Sequence, residues 1–194
     1  PGPAAAARST RTRGSTTASA TPAVPTTAAM PVSVPASSAP SPTSTVMTPY
    51  GPLGQWMINS SGQIADWVGV PYQGKTMLEG INVVFVDSAS SNTTQSVRNL
   101  NAWMSRAGFG WSAFSSTGYQ GVIGSTTFGQ QPTGANQAFR DAYFLLANSH
   151  GRVFGPYPNP NGPGYIWTAS LSRENLDLAN LTHGYDSFNT ARAE

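Results

Sequence analysis

Cysteine is absent from this 194-residue sequence, lysine occurs once, and charged residues make up only 9% of the chain. Without cysteine there is no disulfide framework, no zinc-thiolate site and no thiol nucleophile. The scarcity of charge beside plentiful Ser, Thr, Asn, Gln, Gly and aromatic residues is typical of secreted and surface proteins. We therefore expect an extracellular or cell-envelope location.

Long apolar runs are also lacking: no stretch of about 18 apolar residues occurs, so we expect no membrane-spanning segment. Residues 1–48 carry three arginines and no acidic residue, whereas residues 49–194 carry seven basic and eight acidic residues. The basic balance thus belongs to the N-terminal segment alone. We expect no nucleic-acid partner, because three arginines diluted in Ser and Thr form a weak electrostatic contact.

The composition divides the chain in two. Residues 1–48 consist almost entirely of Pro, Ala, Ser, Thr, Val and Gly, without an aromatic side chain. Such a segment cannot bury enough apolar surface to offset the entropy of ordering it, which predicts an extended arm or linker. Residues 49–194 are predicted to form one compact domain.

Apolar periodicity predicts the elements of this domain. The run at 81–87 is nearly continuous in β-branched and aromatic residues, which favours a strand buried on both faces. A helix is predicted over 93–107, with Ser91 or Asn92 as its N-cap and Gly108 as its stop. Short strands should follow within 109–114 and 119–128.

The C-terminal half is predicted to mix helix and strand. Residues 135–147 favour a helix in their first half, and residues 150–154 and 165–171 should form an antiparallel hairpin across an irregular, proline-rich loop. Asp186 or Ser187 is the predicted cap of a last helix. The expected fold is an α/β (or α+β) domain with a small mixed sheet flanked by two or three helices.

Three motifs of the C-terminal half, together with the strand near residue 83 and the Ala-Gly-Phe turn at 107–109, resemble the LssY-like C-terminal domains of bacterial envelope proteins. The motifs are His-Gly-Arg-Val-Phe at 150–154, Tyr-Ile-Trp-Thr-Ala-Ser at 165–170 and Thr-His-Gly-Tyr-Asp at 182–186. The resemblance covers residues 80–192 and implies an envelope setting, but it implies no reaction. Ser, Phe, Asn and Thr at 187–190 replace part of the family's acidic run.

Both histidines of the chain lie in these motifs, which makes them the candidate site. His150, His183 and Asp87 could hold a divalent metal with open positions for water. As catalytic residues we consider His150, His183 and Asp186, with Arg152 on the face of His150 to bind an anionic group. No organic cofactor is expected.

The alternative is a structural role for all of these side chains. The histidines would then donate structural hydrogen bonds, and Arg152 would pair with Asp186 or Glu174. The 33-residue separation of the histidines does not match the close spacing of metal motifs such as H-E-x-x-H.

Two function hypotheses follow. The first is a non-enzymatic secreted or surface protein whose arm, residues 1–48, contacts neighbouring copies or another surface or particle component. The second is a metal- or His-dependent envelope hydrolase acting on an anionic or glycan substrate. Asn59, Asn92 and Asn180 match the N-glycosylation pattern, which chance also explains in a chain so rich in Ser and Thr.

Overall fold

The computed structural model describes residues 40–67, 71–112, 114–179 and 182–187, of which 111, 112, 182 and 187 are described by backbone alone. This part of the chain contains one helix and ten strands. The strands form a single antiparallel sheet curled into a half barrel. The elements are β1 (Thr45–Thr48), β2 (Gly51–Gly54), β3 (Val83–Asp87), α1 (Thr93–Arg106), β4 (Gly110–Ser112), β5 (Gln120–Ile123), β6 (Thr126–Gln131), β7 (Ala138–Arg140), β8 (Asn148–Pro158), β9 (Tyr165–Asp177) and β10 (Thr182–Ser187).

A long antiparallel hairpin, β8 and β9, organises the sheet. Its register places His150 opposite Ser172 and Arg152 opposite Ser170. The outer edge of β8 pairs with β6 and then with β7, and the outer edge of β9 pairs with β3 and then with β10. The two longest strands therefore carry the neighbours that surround the site.

Beyond β8 the sheet continues through β6 in the order β5, β2, β1, and β4 pairs with β7. The segment after β2 also belongs to the curled sheet. Ile58 forms a β-bridge with Gln120 on one side, and Trp56 forms a β-bridge with Gly80 on the other. Residue 80 leads directly towards β3, so the sheet bends round until its two ends lie close together. The concave side of this curl encloses a cavity.

The convex side of the hairpin packs against α1. Asn92 caps this helix by accepting a hydrogen bond from the backbone N–H of Gln95 at 2.9 Å. Leu100 and Met104 of the helix meet apolar side chains of the strands, and this cluster is the main core. Its other buried members are Phe109, Phe139, Val153, Trp167, Ala169 and Leu171.

The predicted fold class is wrong, because the sheet is antiparallel and α1 is the one helix among the described residues. The helix over 93–107 with its Asn92 cap, the short strands within 109–114 and 119–128, and the hairpin of 150–154 with 165–171 are confirmed. The strand at 81–87 is not buried on both faces. Val84 and Val86 are 37% and 41% exposed, while Val83 and Phe85 face the core.

The helix predicted for the first half of residues 135–147 is wrong. Residues 138–140 form β7 instead of a helix, because Phe139 packs into the core in register with Trp111 of β4. The predicted last helix lies in residues 188–194, outside the described part of the chain, and its two candidate caps, Asp186 and Ser187, lie within β10. The proline-rich loop is also shorter than predicted, since β8 runs to Pro158 past a bulge.

Strand β1 lies inside the segment predicted to be an arm. Thr45 to Thr48 pair in register with Gly54 to Gly51 of β2. The described part of that segment, from residue 40 onwards, thus includes one outer strand of the sheet.

Candidate functional site

A cavity of about 270 Å³ lies on the concave side of the curled sheet. Eight separate stretches of the chain contribute to its wall, and seven of its side chains are carboxylic acids, arginines or histidines. The lining residues are Met57, Asp66, Trp67, Glu79, Ser116, Tyr119, Arg140, His150, Arg152, Glu174 and His183.

The alternation of side chains along β8 and β9 places the polar groups in this cavity. His150 and Arg152 point to the concave side, whereas Val153 points to the helix. On β9, Glu174 faces the cavity and Leu171 faces the helix. Period-two alternation on two strands in fixed register therefore separates an apolar face from a polar one.

Arg140 and Glu174 form a buried ion pair at one end of the cavity. Arg140 Nη1 lies 2.7 Å from Glu174 Oε1 and 2.5 Å from Asn148 Oδ1, and its Nε donates to Ser115 Oγ at 2.9 Å. Asn148 Nδ2 also donates to Glu174 Oε1, at 2.7 Å. This arginine has one carboxylate counter-ion and three hydrogen-bond acceptors, as a buried charge needs.

His150 is 3% exposed and lies between the ion pair and Trp67. Its Nε2 is 3.2 Å from Ser172 Oγ, and the Trp67 ring stacks on it at 5.8 Å between centroids. Burial, with Arg152 and Arg140 nearby, holds the pKa of His150 well below its ordinary value. The imidazole is therefore neutral, and its Nδ1, 3.8 Å from Glu174 Oε2, makes no ionic pair.

Ser172, His150 and Glu174 follow the order hydroxyl, imidazole, carboxylate of a serine-hydrolase triad. Two observations argue against such a triad. Ser172 is 2% exposed and is absent from the cavity wall, so a substrate in the cavity does not reach its hydroxyl. The contact to Glu174 is also longer than a hydrogen bond. The contact with Ser172 fixes the orientation of the imidazole ring.

Arg152 contrasts with Arg140 because no described carboxylate lies within ion-pair distance of it, although Glu79 and Glu174 are near enough to act on its charge. It is 4% exposed, and its Nη2 donates to the carbonyl oxygen and the hydroxyl of Ser116 at 3.1 and 3.2 Å. Its guanidinium lies 4.8 Å from the centre of the Tyr119 ring. Within the described residues Arg152 forms no ion pair, and its Nε has no hydrogen-bond partner. Burial lowers the pKa of this arginine.

Glu79 is the second buried carboxyl group of the wall, at 4% exposure. Ser170 Oγ lies 3.2 Å from its Oε2. Burial raises the pKa of Glu79, and the nearby Arg152 opposes this rise only in part. The cavity thus joins a carboxyl group that retains its proton more readily than usual to an imidazole that resists protonation.

Three of the predicted site residues meet in this cavity: His150, His183 and Arg152. The Nε2 atom of His183 is buried and has no partner within the described part of the chain. The alternative pairing of Arg152 with Asp186 or Glu174 is not found there, since these carboxylates lie beside Arg173, at 3.5 Å, and Arg140.

Asp87 lies far from the histidines. It pairs with Tyr165 at one end of β9, whereas His150 pairs with Ser172 seven residues along the same strand, roughly 20 Å away. Its carboxylate accepts hydrogen bonds around the start of α1, from Ser90 Oγ at 2.5 Å and from two backbone N–H groups. Burial raises the pKa of Asp87, but these bonds lower it overall.

Asp87 therefore cannot join His150 and His183 at one metal ion. Among the described residues, no cluster of three or more histidine and carboxylate side chains has the geometry of a metal site. The one helix of the described residues, α1, is too short and too polar to cross a membrane.

The sequence pattern missed most of the cavity wall. Glu174 alternates with Ser170 and Ser172, and this alternation could have placed it beside His150. Trp67, Glu79 and Tyr119 come from irregular or bridging segments, for which periodicity gives no signal.

Comparisons with known proteins return no relative: no family model, no curated protein and no solved structure matches the chain. The resemblance to LssY-like domains therefore stays a prediction that rests on the motifs of the C-terminal half.

Proposed function

We propose that this protein binds a small anionic compound in the concave cavity and that Arg152 receives the anionic group. The observation that carries the proposal is the contrast between the two buried arginines. Arg140 is paired with Glu174 at 2.7 Å, whereas the direct contacts of Arg152 among the described residues are to a hydroxyl, a carbonyl and an aromatic ring, with no carboxylate at ion-pair distance.

A buried cation without a counter-ion is costly unless a partner compensates its charge. A carboxylate, phosphate or sulfate group would supply that charge, and two of its oxygens match the planar fork of a guanidinium. The free Nε of Arg152 is the position that a second oxygen would occupy.

The rest of the wall supports an organic anion. Trp67 and Tyr119 offer aromatic surface, and the buried indole N–H of Trp67 has no acceptor among the described residues. The volume of about 270 Å³ lies just below the range of pockets for drug-sized ligands. We therefore expect a ligand with one anionic group and a short apolar or ring-containing body.

Isothermal titration of the full chain with butyl phosphate and butyrate tests this proposal. Arg152→Gln should weaken binding by about 10- to 100-fold, because it removes a charge-assisted hydrogen-bond pair. Arg98→Gln, which removes an exposed cation of α1, is the matched control and should leave affinity unchanged. Equal affinity of wild type and Arg152→Gln would refute the proposed role of Arg152.

Hydrolysis of the bound anion is a second candidate function. The favouring observation is that one cavity joins a neutral imidazole, His150, to a carboxyl group with a raised pKa, Glu79. Such a pair can supply a general base and a general acid. If this candidate holds, both His150→Gln and Glu79→Gln abolish turnover of a nitrophenyl phosphate or ester while butyl phosphate still binds. Unchanged turnover in either variant would remove it.

Contact between copies through residues 1–48, and an extracellular or envelope setting, remain a separate proposal supported by composition. Light scattering of the full chain against a chain beginning at Pro40, which keeps β1, tests the first. A large assembly that becomes monomeric on truncation supports arm-mediated assembly, and the same number of chains per particle for both proteins refutes it.

A further inference from the structure

Two loops beside the cavity expose a group of large apolar side chains, which we term the apolar loop patch. Phe114 is 68% exposed, and Tyr143, Leu145 and Leu146 are 56%, 48% and 56% exposed. The ring of Phe144 joins the two loops, because its centroid lies 5.2 Å from that of Phe114 and 4.8 Å from that of Tyr143. This is more contiguous apolar surface than scattered exposed residues provide.

The apolar loop patch adjoins the rim of the cavity. Phe114 is followed by Ser115, which accepts a hydrogen bond from Arg140, and by Ser116, which accepts two from Arg152. The second loop is fixed in the same way, since the buried Asn148 donates to the carbonyl oxygen of Leu146 at 2.8 Å. The first loop is therefore bonded directly to the arginines of the polar wall, and the second is bonded through Asn148, which contacts Arg140 and Glu174.

The conformation of Phe114 also keeps its ring at this position. Its φ angle is +65°, which a bulky side chain seldom adopts and which costs free energy. The neighbouring bonds of Ser115 and Ser116 to the two buried arginines hold the loop in this conformation. An exposed aromatic ring is thus fixed beside an arginine that lacks a counter-ion.

We propose that the ligand is a single-chain anionic amphiphile, with its carboxylate or phosphate at Arg152 and its hydrocarbon chain on the apolar loop patch. This inference rests on the proposed function. A free small anion would leave the patch uncovered, and a neutral hydrocarbon would leave Arg152 uncompensated. One hydrocarbon chain suits the site, because the cavity admits a small head group and the patch offers five side chains.

A chain-length series separates this inference from the proposed function. Methyl, butyl, hexyl and octyl phosphate, all below their micelle concentrations, would be titrated into the full chain by calorimetry. Affinity should rise by about two- to fourfold for each methylene added beyond butyl, as expected for partial to full burial of each group. Octyl glucoside, which has the same chain and no charge, should bind at least about tenfold more weakly than octyl phosphate, because it leaves Arg152 without a counter-ion.

Two leucine variants test the location of the chain. Leu145→Ser and Leu146→Ser should reduce the gain from butyl to octyl at least about threefold and leave the affinity for methyl phosphate unchanged, because each removes apolar surface that the chain would cover. Leu178→Ser, an exposed leucine in the turn after β9, is the matched control and should keep the full gain.

Each contrary result has a different consequence for the two proposals. Equal affinity for all four phosphates would overturn the amphiphile inference and leave anion binding at Arg152 intact. A chain-length gain that persists in Leu145→Ser and Leu146→Ser would also overturn it, because the chain would then lie elsewhere. If no phosphate binds at any length, the proposed function falls with it.

Discussion

The two faces of the β8–β9 hairpin are built from the same strands but differ in how fully their side chains are packed and hydrogen-bonded. On the convex face Val153, Ala169 and Leu171 close against α1 in a continuous apolar core. On the concave face Arg152 and His150 alternate with these residues and keep polar atoms without partners in the described structure. The first face supplies stability, and we attribute ligand binding to the second.

The convex face leaves few polar groups unsatisfied. Trp167 is fully buried, yet its indole N–H donates to Ser96 Oγ at 3.0 Å. Asp87 likewise has its carboxylate bonded to Ser90 and to backbone N–H groups. A core of this kind is sensitive to truncation, because each removed group leaves a void or an unpaired partner.

The largest effect should come from breaking the convex face. Trp167→Ala should lower the free energy of unfolding by about 3–5 kcal/mol, because it empties a buried site and leaves Ser96 without its donor. Urea unfolding measures this loss. Affinity for butyl phosphate at permissive temperature should change by less than about twofold, since the indole lies outside the cavity wall. A loss comparable to that of Arg152→Gln would contradict the division between the faces.

Within the concave face, Arg140 should behave as a structural residue. Arg140→Gln should cost about 3–5 kcal/mol of stability, because Glu174 is left buried with its charge uncompensated. Arg98→Gln, at an exposed position of α1, should stay within about 0.5 kcal/mol of the wild type in the same assay. Similar values for the two variants would show that the buried pair is dispensable.

His150 should make stability depend on pH. Its pKa is depressed in the folded protein, so its contribution is present above about pH 6.5 and is lost as pH falls towards the folded pKa. The stability of the wild type relative to His150→Gln should therefore fall below about pH 6.5, by at most about 1.4 kcal/mol per pH unit. Urea unfolding at about pH 7, 6 and 5 gives this difference, and a constant difference would show that the pKa of His150 is the same in the folded and unfolded states.

Arg152 should contribute least to stability. Arg152→Gln loses the bonds to Ser116 but also removes a buried charge without a counter-ion, so we expect a change below about 1 kcal/mol. A loss as large as that of Arg140→Gln would mean that Arg152 is already neutralised in the free protein. The contrast between the two arginines would then disappear.

The sequence predicts the local features well. The Asn92 cap and the spacing of Leu100 and Met104 define α1, and alternation with a turn between defines the β8–β9 hairpin. These features depend on residues close in sequence, where periodicity and capping chemistry act directly.

Periodicity and capping could not predict the direction in which strands pair or the irregular segments that complete the cavity wall. An apolar run such as 83–87 does not reveal whether its partner is parallel, and only its pairing with β9 shows a half-exposed outer strand. Asp87 was wrongly grouped with the two histidines for this reason. A parallel sheet would bring Asp87 to the ligand edge, whereas the antiparallel register sends it to the far end of β9.

Part of the candidate site was predictable. Both histidines and Arg152 were placed together because His150 and Arg152 alternate on one strand. The functional distinction between Arg140 and Arg152 depends on contacts with Glu174 and Ser116, which lie 34 and 36 residues away in sequence. No local pattern reports such contacts.

The most direct measurement of the central claim is the Nε–H resonance of Arg152 in protein labelled with ¹⁵N-arginine, assigned by its loss in Arg152→Lys. On titration with butyl phosphate this resonance should shift and saturate, because the anion supplies the acceptor that the Nε lacks. The Arg98 resonance should remain in place. Saturable binding of butyl phosphate with no change at Arg152 would contradict the account, since the anion would then be held elsewhere.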